Sequence, residues 1–271
     1  MTTPPLPAFY LSHGGGPWPW MTGPRYDAHR KLEAALQQLP RLVGATPKAV
    51  LMISAHWEEA DFTVMSNPSP PMVYDYSGFP ENTYQIRYAA PGAPKLAEQV
   101  HGLLQSAGIA ARLDPVRGFD HGAFVPMAVM YPDAGMPVMQ LSLKRGLGPQ
   151  DHLAAGRALA SLRNEGVLVI GSGSSYHNLR MLGPESKEPS AAFDNWLQRT
   201  LEGTHFEERN LALASWEAAP SARIAHPREE HLLPLMVVLG AAERDVATRF
   251  YHENTFFGSG SVSSFMFSKS G

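Results

Sequence analysis

The chain has 271 residues, 44% of them hydrophobic, and a formal net charge of -3 at pH 7. This length and apolar content are enough for one large α/β domain, and we expect residues 1–271 to form a single domain. The absence of cysteine excludes disulfides and thiolate metal ligands. With no basic stripe, no apolar run near the ~20 residues of a membrane helix and no secretory signal, we expect a cytoplasmic protein without a nucleic-acid or membrane partner.

Three short apolar strands, taken in chain order, each lead into a histidine. Residues 8–12 run into His13 and three glycines, residues 49–55 run into His56, and residues 167–170 reach His177 through a Gly- and Ser-rich segment. Such continuous apolar runs are typical of parallel strands that are covered on both faces. Ligands of open parallel sheets bind beyond the carboxyl ends of the strands. We therefore expect the three imidazoles to share one site at that edge.

The other elements alternate along the chain. Helices are expected at 27–39 with Pro40 as the stop, at 93–107, 151–165 and 190–202, and from Pro227 onward. Strands are expected at 110–113 and 137–143, and the alternating tail, 258–267, suggests a last strand. This order predicts an α/β fold with a mostly parallel central sheet flanked by helices and an active site at the carboxyl edge of the strands.

Residues 66–94 differ from the rest in being dense in proline and aromatic residues. A helix is excluded over most of this stretch. We interpret it as an ordered excursion over the carboxyl edge of the sheet, where its tyrosines would form a pocket wall. His121 lies further on, in a segment with glycines on both sides that we expect to be a loop.

The chemistry of a histidine cluster leaves more than one class open. Neutral imidazoles with an open coordination position suit zinc-dependent hydrolysis and non-haem iron chemistry with oxygen. A serine hydrolase is disfavoured, because Ser172 lacks the glycine two places later that a nucleophile elbow requires. Phosphate-binding and dinucleotide-binding fingerprints are also absent. The histidines that lie on predicted helices or in polar segments are expected to be ordinary ones, namely His29, His101, His152, His205 and His252.

Six motifs in order carry a resemblance to a known family. They are Ser12-His13-Gly14-Gly15, Ser54-Ala55-His56-Trp57, Tyr74-Asp75-Tyr76-Ser77-Gly78-Phe79-Pro80, Gly118-Phe119-Asp120-His121-Gly122, His177-Asn178-Leu179 and Pro227-Arg228-Glu229-Glu230-His231-Leu232-Leu233-Pro234-Leu235. From about residue 8 to the end, the chain resembles the class III extradiol ring-cleavage dioxygenases, in particular their 4,5-DOPA dioxygenase branch.

The resemblance implies a set of metal ligands. His13, His56 and His231 match the histidines that hold the metal in this branch, which is Fe(II) for catalysis, with Zn(II) able to occupy the same site. The wider family uses two histidines and one carboxylate, so Glu229 and Glu230 stay open as alternatives for the third position.

The resemblance also implies an activity and roles for other residues. Fe(II) and O2 would open a catechol-type ring outside the diol to a semialdehyde acid, with His177 as the catalytic acid/base and His121 close to the substrate. Tyr76 and Phe79 would hold the ring, and Arg87 would meet a substrate carboxylate.

Other functions and the assembly state remain open at this point. A zinc-dependent hydrolase using the same three histidines, or a non-catalytic metal-binding protein, would be the alternative. The partners expected are a small catechol-type molecule and O2, in a monomer or a homodimer.

Overall fold

The structure is a computed structural model that describes residues 4–269. Its strands are β1 (Ala8–Ser12), β2 (Ala49–Glu59), β3 (Phe62–Met65), β4 (Ala111–Asp114), β5 (Val138–Lys144), β6 (Val167–Gly173), β7 (Val246–Phe256) and β8 (Gly260–Ser268). Within the described residues there are nine α-helices: α1 (Pro24–Asp27), α2 (Arg30–Val43), α3 (Pro94–Ser106), α4 (His121–Met130), α5 (Pro149–Leu159), α6 (Lys187–Gly203), α7 (Phe206–Ala214), α8 (Ala222–Ala225) and α9 (Leu233–Ala241). No helix in this part of the chain is long and apolar enough to cross a bilayer.

The eight strands form one mixed sheet in the order β4-β3-β5-β2-β6-β1-β8-β7. Its central strands, β5, β2, β6 and β1, are parallel. The antiparallel pairs are β3 with β5, β1 with β8, and β8 with β7. The predicted α/β class with a mostly parallel central sheet is thus confirmed.

Helices cover both faces of the central strands. In β6, Gly171 faces Pro234 at the start of α9, whereas the hydroxyl of Ser172 donates to the carbonyl of Gly122 in α4. Because successive strand residues point to opposite faces, α9 and α4 cover opposite faces of β6. The strand is fully buried as a result, which explains its unbroken apolar sequence.

The first predicted helix differs from the structure in its bounds. The stretch 27–39 divides into α1 and α2, and α2 continues through Pro40 to Val43, where Gly44 caps it with φ 70. Pro40 lies within four residues of the end of α2, so the helix loses one backbone hydrogen bond there and still closes its last turn.

The helix predicted from Pro227 is wrong, and so is the loop predicted at His121. The chain turns between α8 and α9, and α9 begins only at Leu233 with Pro234 in its first turn. A helix from Pro227 would have carried Pro234 in its interior, where the ring breaks the hydrogen-bond ladder. His121 begins α4, which is apolar on nearly all sides and therefore has no helical periodicity to detect.

We predict that the contact between α5 and α9 does not tolerate a methyl group. A Cβ on Gly156 would lie 2.1 Å from the Val237 carbonyl oxygen and 2.8 Å from the Cα of Gly240. Gly156→Ala is expected to lower the free energy of unfolding by about 1–3 kcal/mol through overpacking. Urea unfolding followed by fluorescence and circular dichroism measures this change.

Gly102→Ala is the matched control, because it also lies inside a helix but has no atom within 4 Å of an added Cβ. It is expected to stabilise the protein by roughly 0.5–1 kcal/mol, as alanine is the better helix former. Equal effects of the two substitutions would show that the helix contact is not as close as described.

Candidate active site

Five imidazoles meet at the carboxyl edge of the central strands. His13 follows β1, His56 lies near the end of β2, His121 begins α4, His177 follows β6 and His231 precedes α9. Ring centroids are 4.9 Å apart for His13 and His56, 4.0 Å for His56 and His121, and 5.2 Å for His13 and His231. His177 stacks on His231 at 3.3 Å. All five line one cavity of about 570 Å³.

The tautomer of His13 follows from its hydrogen bonds. Its Nδ1 lies 3.0 Å from the Ser172 hydroxyl, which donates its own proton to the Gly122 carbonyl. The hydroxyl oxygen must therefore accept the Nδ1–H of His13. The Nε2 of His13 is left with a bare lone pair that faces the cluster, which is the form of imidazole that binds metals.

Asp75 orients two further rings in the same way. Its Oδ1 accepts from Nδ1 of His121 at 2.9 Å and from the backbone N–H of His121 at 3.0 Å, and its Oδ2 lies 3.2 Å from Nδ1 of His56, an electrostatic contact. Burial by itself raises the pKa of Asp75, but the hydrogen bonds from His121 and the electrostatic attraction of His121 and His56 together outweigh burial, so the pKa lies below its ordinary value. No role for Asp75 was predicted from the sequence, although it lies in one of the six motifs.

Glu230 is the corresponding acceptor for the last two rings. One of its oxygens lies 3.2 Å from Nδ1 of His177 and 3.0 Å from Nδ1 of His231. Burial raises the pKa of Glu230, but the hydrogen bond from His177, a backbone hydrogen bond and the electrostatic attraction of His177 and Arg228 together outweigh burial, so the pKa lies below its ordinary value. Glu229 instead pairs with Arg223 at 2.5 Å. Of the two glutamates that the sequence left open, only Glu230 contacts the site.

The donor atoms fit a bound metal ion. Nε2 of His13 and Nε2 of His56 lie 3.0 Å apart, and two lone pairs at that distance repel unless a cation or a proton lies between them. Nε2 of His231 is buried and has no hydrogen-bond partner among residues 4–269. Ligating atoms of His13, His56 and His121 all lie within 4.8 Å of one another, so this three-histidine cluster is consistent with a metal site.

A second close group, His177, Glu230 and His231, meets the same distance criterion. Its short contacts are the Nδ1–H···O hydrogen bonds to the carboxylate, so we interpret it as an orienting network and not as a second metal site.

The electrostatics keep the inner rings neutral. Burial, and then the neighbouring imidazoles, lower the pKa of His13 and His231 well below the ordinary value. Burial also lowers the pKa of His56 to about 4, with His121 adding to the effect. Neutral imidazole is the form in which histidine coordinates a metal.

Aromatic side chains from the excursion at 66–94 form one wall of the cavity. Tyr76 and Phe79 both line it, and the Tyr76 ring lies 5.8 Å from that of His121. Arg87, in contrast, is exposed and lines a separate surface depression. The structure therefore places Arg87 outside the cavity: its neighbours Ile86 and Tyr88 are buried, whereas the arginine is exposed.

Arg25 lines the cavity in place of Arg87, with its Cζ 4.9 Å from the centroid of the Phe79 ring. It lies in α1, a short polar helix that is not part of any of the six motifs. No sequence signal identifies it.

His29, expected to be an ordinary histidine, is part of the cavity wall. It is buried and stacks on Trp18 at 5.0 Å, and its Nε2 accepts the N–H of Gly15 at 3.0 Å while its Nδ1–H donates to the Arg25 carbonyl at 2.6 Å. Burial lowers its pKa to about 4, so the ring is neutral with one donor and one acceptor. Trp18 in turn donates to the His13 carbonyl at 2.8 Å. These contacts hold the glycine loop that follows His13.

A cluster of imidazoles with carboxylates close to them, at the carboxyl edge of an α/β sheet and beside an aromatic wall, is consistent with the class of metal-dependent enzymes that have a pocket for a small aromatic molecule. Comparisons with known proteins narrow this class. A family profile described as the catalytic LigB subunit of aromatic ring-opening dioxygenase matches residues 3–266. The chain therefore belongs to the LigB family of class III extradiol dioxygenases and is an extradiol aromatic ring-opening dioxygenase, an oxidoreductase.

Individual relatives agree with this assignment. The chain is 38% identical over 263 residues to a 4,5-DOPA dioxygenase extradiol of Beta vulgaris, covering 96% of this chain and 95% of that protein. A protein of the same name from Escherichia coli is 35% identical over 246 residues, covering 89% and 87%. A solved structure of an uncharacterized protein from Escherichia coli K12 has a TM-score of 0.77 at 29% identity, covering 96% of this chain and 99% of that one. The resemblance inferred from the six motifs is confirmed.

Asp75→Asn is predicted to weaken metal binding without unfolding the protein. His121 and His56 face different oxygens of Asp75, and asparagine replaces one of these oxygens with an amide NH2 group, so it cannot present an acceptor to both rings. The loss of such an orienting partner typically lowers metal affinity by about 10–100-fold, which a titration against a competing chelator measures. Asp61→Asn is the control, because Asp61 pairs with Arg112 at the surface at 3.0 Å. Unchanged affinity in Asp75→Asn would contradict the orienting role.

Proposed function

We propose that the chain binds Fe(II) through His13, His56 and His231 and uses O2 to open a catechol-type ring outside its diol, giving a semialdehyde acid. The observation that carries this proposal is the convergence of bare Nε2 atoms in a cavity with an aromatic wall. The names of the relatives, 4,5-DOPA dioxygenase extradiol, support a catechol as the substrate.

His231 is proposed as the third ligand because its Nε2 is buried and has no hydrogen-bond partner in the described part of the chain. His121 is the competitor, since its ligating atom lies within 4.8 Å of those of His13 and His56. We place His121 on the substrate side, because its ring contacts the aromatic wall through Tyr76.

The protein side of the mechanism follows from the tautomers. Bound Fe(II) would supply the redox chemistry that joins O2 to the ring. His177 holds its proton on Nδ1 through Glu230, so its Nε2 can accept a proton from a substrate hydroxyl. The same nitrogen can return that proton when the ring opens. His121, held in the same way by Asp75, offers its Nε2 as a hydrogen-bond acceptor to the substrate.

The cavity wall completes the site. Tyr76 and Phe79 pack edge to face with their ring centroids 5.4 Å apart, and together they would hold the aromatic ring and exclude water from it. The zinc-hydrolase alternative shares the same donor set, but membership of a ring-opening dioxygenase family favours oxygen chemistry.

We also propose that residues 1–271 act as one catalytic domain. The first strand, β1, pairs with the last strand, β8, so both ends of the described chain are built into the same sheet. Two separate transitions in the urea unfolding curves described for Gly156→Ala would contradict this organisation. The cytoplasmic location and the monomeric or homodimeric state stay predictions from the sequence.

The metal ligands are tested by single substitutions. His13→Ala, His56→Ala and His231→Ala are each expected to lose most of the bound iron or zinc, because each removes one donor from a site with few protein ligands. His121→Ala is expected to keep the metal. Metal content is measured after reconstitution and gel filtration. If His231→Ala keeps full metal while His121→Ala loses it, the third ligand is His121.

His177→Ala is predicted to separate proton transfer from metal binding. The variant should keep iron and bind catechol, while turnover falls by about 10²–10⁴-fold, the usual contribution of a positioned proton-transfer group. Oxygen consumption by iron-loaded protein measures turnover, and His205→Ala, an exposed histidine, is the control.

Two results would contradict this role of His177. A loss of metal together with activity would make His177 a ligand. Normal turnover of the folded protein, with only a lower melting temperature, would make it structural.

A further inference from the structure

Arg25 is the only lysine or arginine among the residues that line the active-site cavity. The cavity's one lining carboxylate, Asp75, is committed to His56 and His121. Among residues 4–269, none of the ion pairs formed by arginines includes Arg25. The cavity thus carries a cation for which the described chain supplies no counter-ion.

Both the side chain and the backbone of Arg25 make contacts that limit its position. Its guanidinium lies over the face of Phe79, with 4.9 Å from Cζ to the ring centroid, a cation–π contact that limits the orientation of the charged group. Its backbone carbonyl accepts the Nδ1–H of the buried His29 at 2.6 Å. Arg25 is itself exposed, so the contact with Phe79 is what limits the rotamers of its side chain at the cavity.

A path of aromatic contacts leads from Arg25 to the histidine cluster. Phe79 lies 5.4 Å from Tyr76, and Tyr76 lies 5.8 Å from His121. The cavity of about 570 Å³ falls in the range of roughly 300–1,000 Å³ that holds drug-sized ligands, which is more than one six-membered ring fills. A ring at the histidines therefore leaves space for a substituent that extends along this wall toward the guanidinium.

We propose that Arg25 is a specificity-determining residue that binds a carboxylate on the ring substituent, and that it thereby discriminates acidic catechols from neutral ones of the same shape. The proposal rests on the proposed function and adds to it the residue that recognises the charge of the substrate's side chain. Guanidinium suits this role, because its planar donors match the geometry of a carboxylate.

The test compares two substrates in the iron-loaded full-length protein. Dihydroxyphenylpropionate is a catechol with a carboxylate on a short side chain, and its amide has the same shape without the charge. Arg25→Met should lower the ratio of kcat/KM for the acid to kcat/KM for the amide by about 10-fold or more, as expected for a lost hydrogen bond to a charged group. The loss should appear in KM, because the contact is equally strong in the ground state and the transition state.

Three further variants sharpen the comparison. Arg25→Lys should give an intermediate ratio, since it keeps the charge and loses the planar donor pair. Arg30→Met is the matched control, because it removes the same charge from a nearby exposed arginine that pairs with Asp27 and does not line the cavity. Arg87→Met should also leave the ratio unchanged.

The outcomes are distinguishable. If the wild-type protein turns over both substrates and Arg25→Met keeps the wild-type ratio, the inference is overturned. A ratio that falls equally in Arg30→Met would overturn it too, because the effect would then come from net charge and not from contact. If the wild-type protein opens neither ring after iron loading, the proposed function fails, and the inference falls with it.

Discussion

The site depends on one repeated interaction: the Nδ1 of each imidazole lies 2.9–3.2 Å from a side-chain oxygen, and for all of the five rings except His231 that oxygen belongs to a residue distant in sequence. Ser172 on β6 serves His13, Asp75 serves His56 and His121, and Glu230 serves His177 and His231. These oxygens occupy the Nδ1 side of each ring and leave the Nε2 side for a metal ion or a substrate. If one acceptor were lost, a ring would be free to rotate and to place a proton where a lone pair is needed.

Backbone packing brings the turn before α9 close enough to take part in this arrangement. A Cβ on Gly173 would lie 2.0 Å from the His231 carbonyl oxygen, so only glycine permits the approach. The same carbonyl accepts the Tyr10 hydroxyl at 2.8 Å and the Ser174 N–H at 3.1 Å. The glycines in this strand therefore allow close approach, and the position of the third candidate ligand follows from them.

The predictable part of the site comes from local signals, and the unpredictable part from contacts distant in sequence. Short apolar strands that end in histidine can be recognised from a few consecutive residues. The parallel sheet and three of the imidazoles could therefore be predicted from the sequence. The orienting role of Asp75 depends on how the excursion at 66–94 folds back over the sheet, and no local pattern encodes that path. The position of Arg87 could not be predicted for the same reason, because in an extended segment a shift of one residue reverses the direction of a side chain.

The two ends of the cavity differ in charge, and this difference bears on how a substrate enters. At the inner end, burial and mutual repulsion keep the imidazoles neutral, and the ionised Asp75 and Glu230 lie behind them. A catechol is uncharged at neutral pH and can approach those carboxylates, whereas an anionic group is repelled by them. At the other end Arg25 attracts an anion. The field therefore favours one orientation of an acidic catechol, with its diol toward the histidines and its carboxylate toward Arg25, before the substrate contacts either end of the cavity.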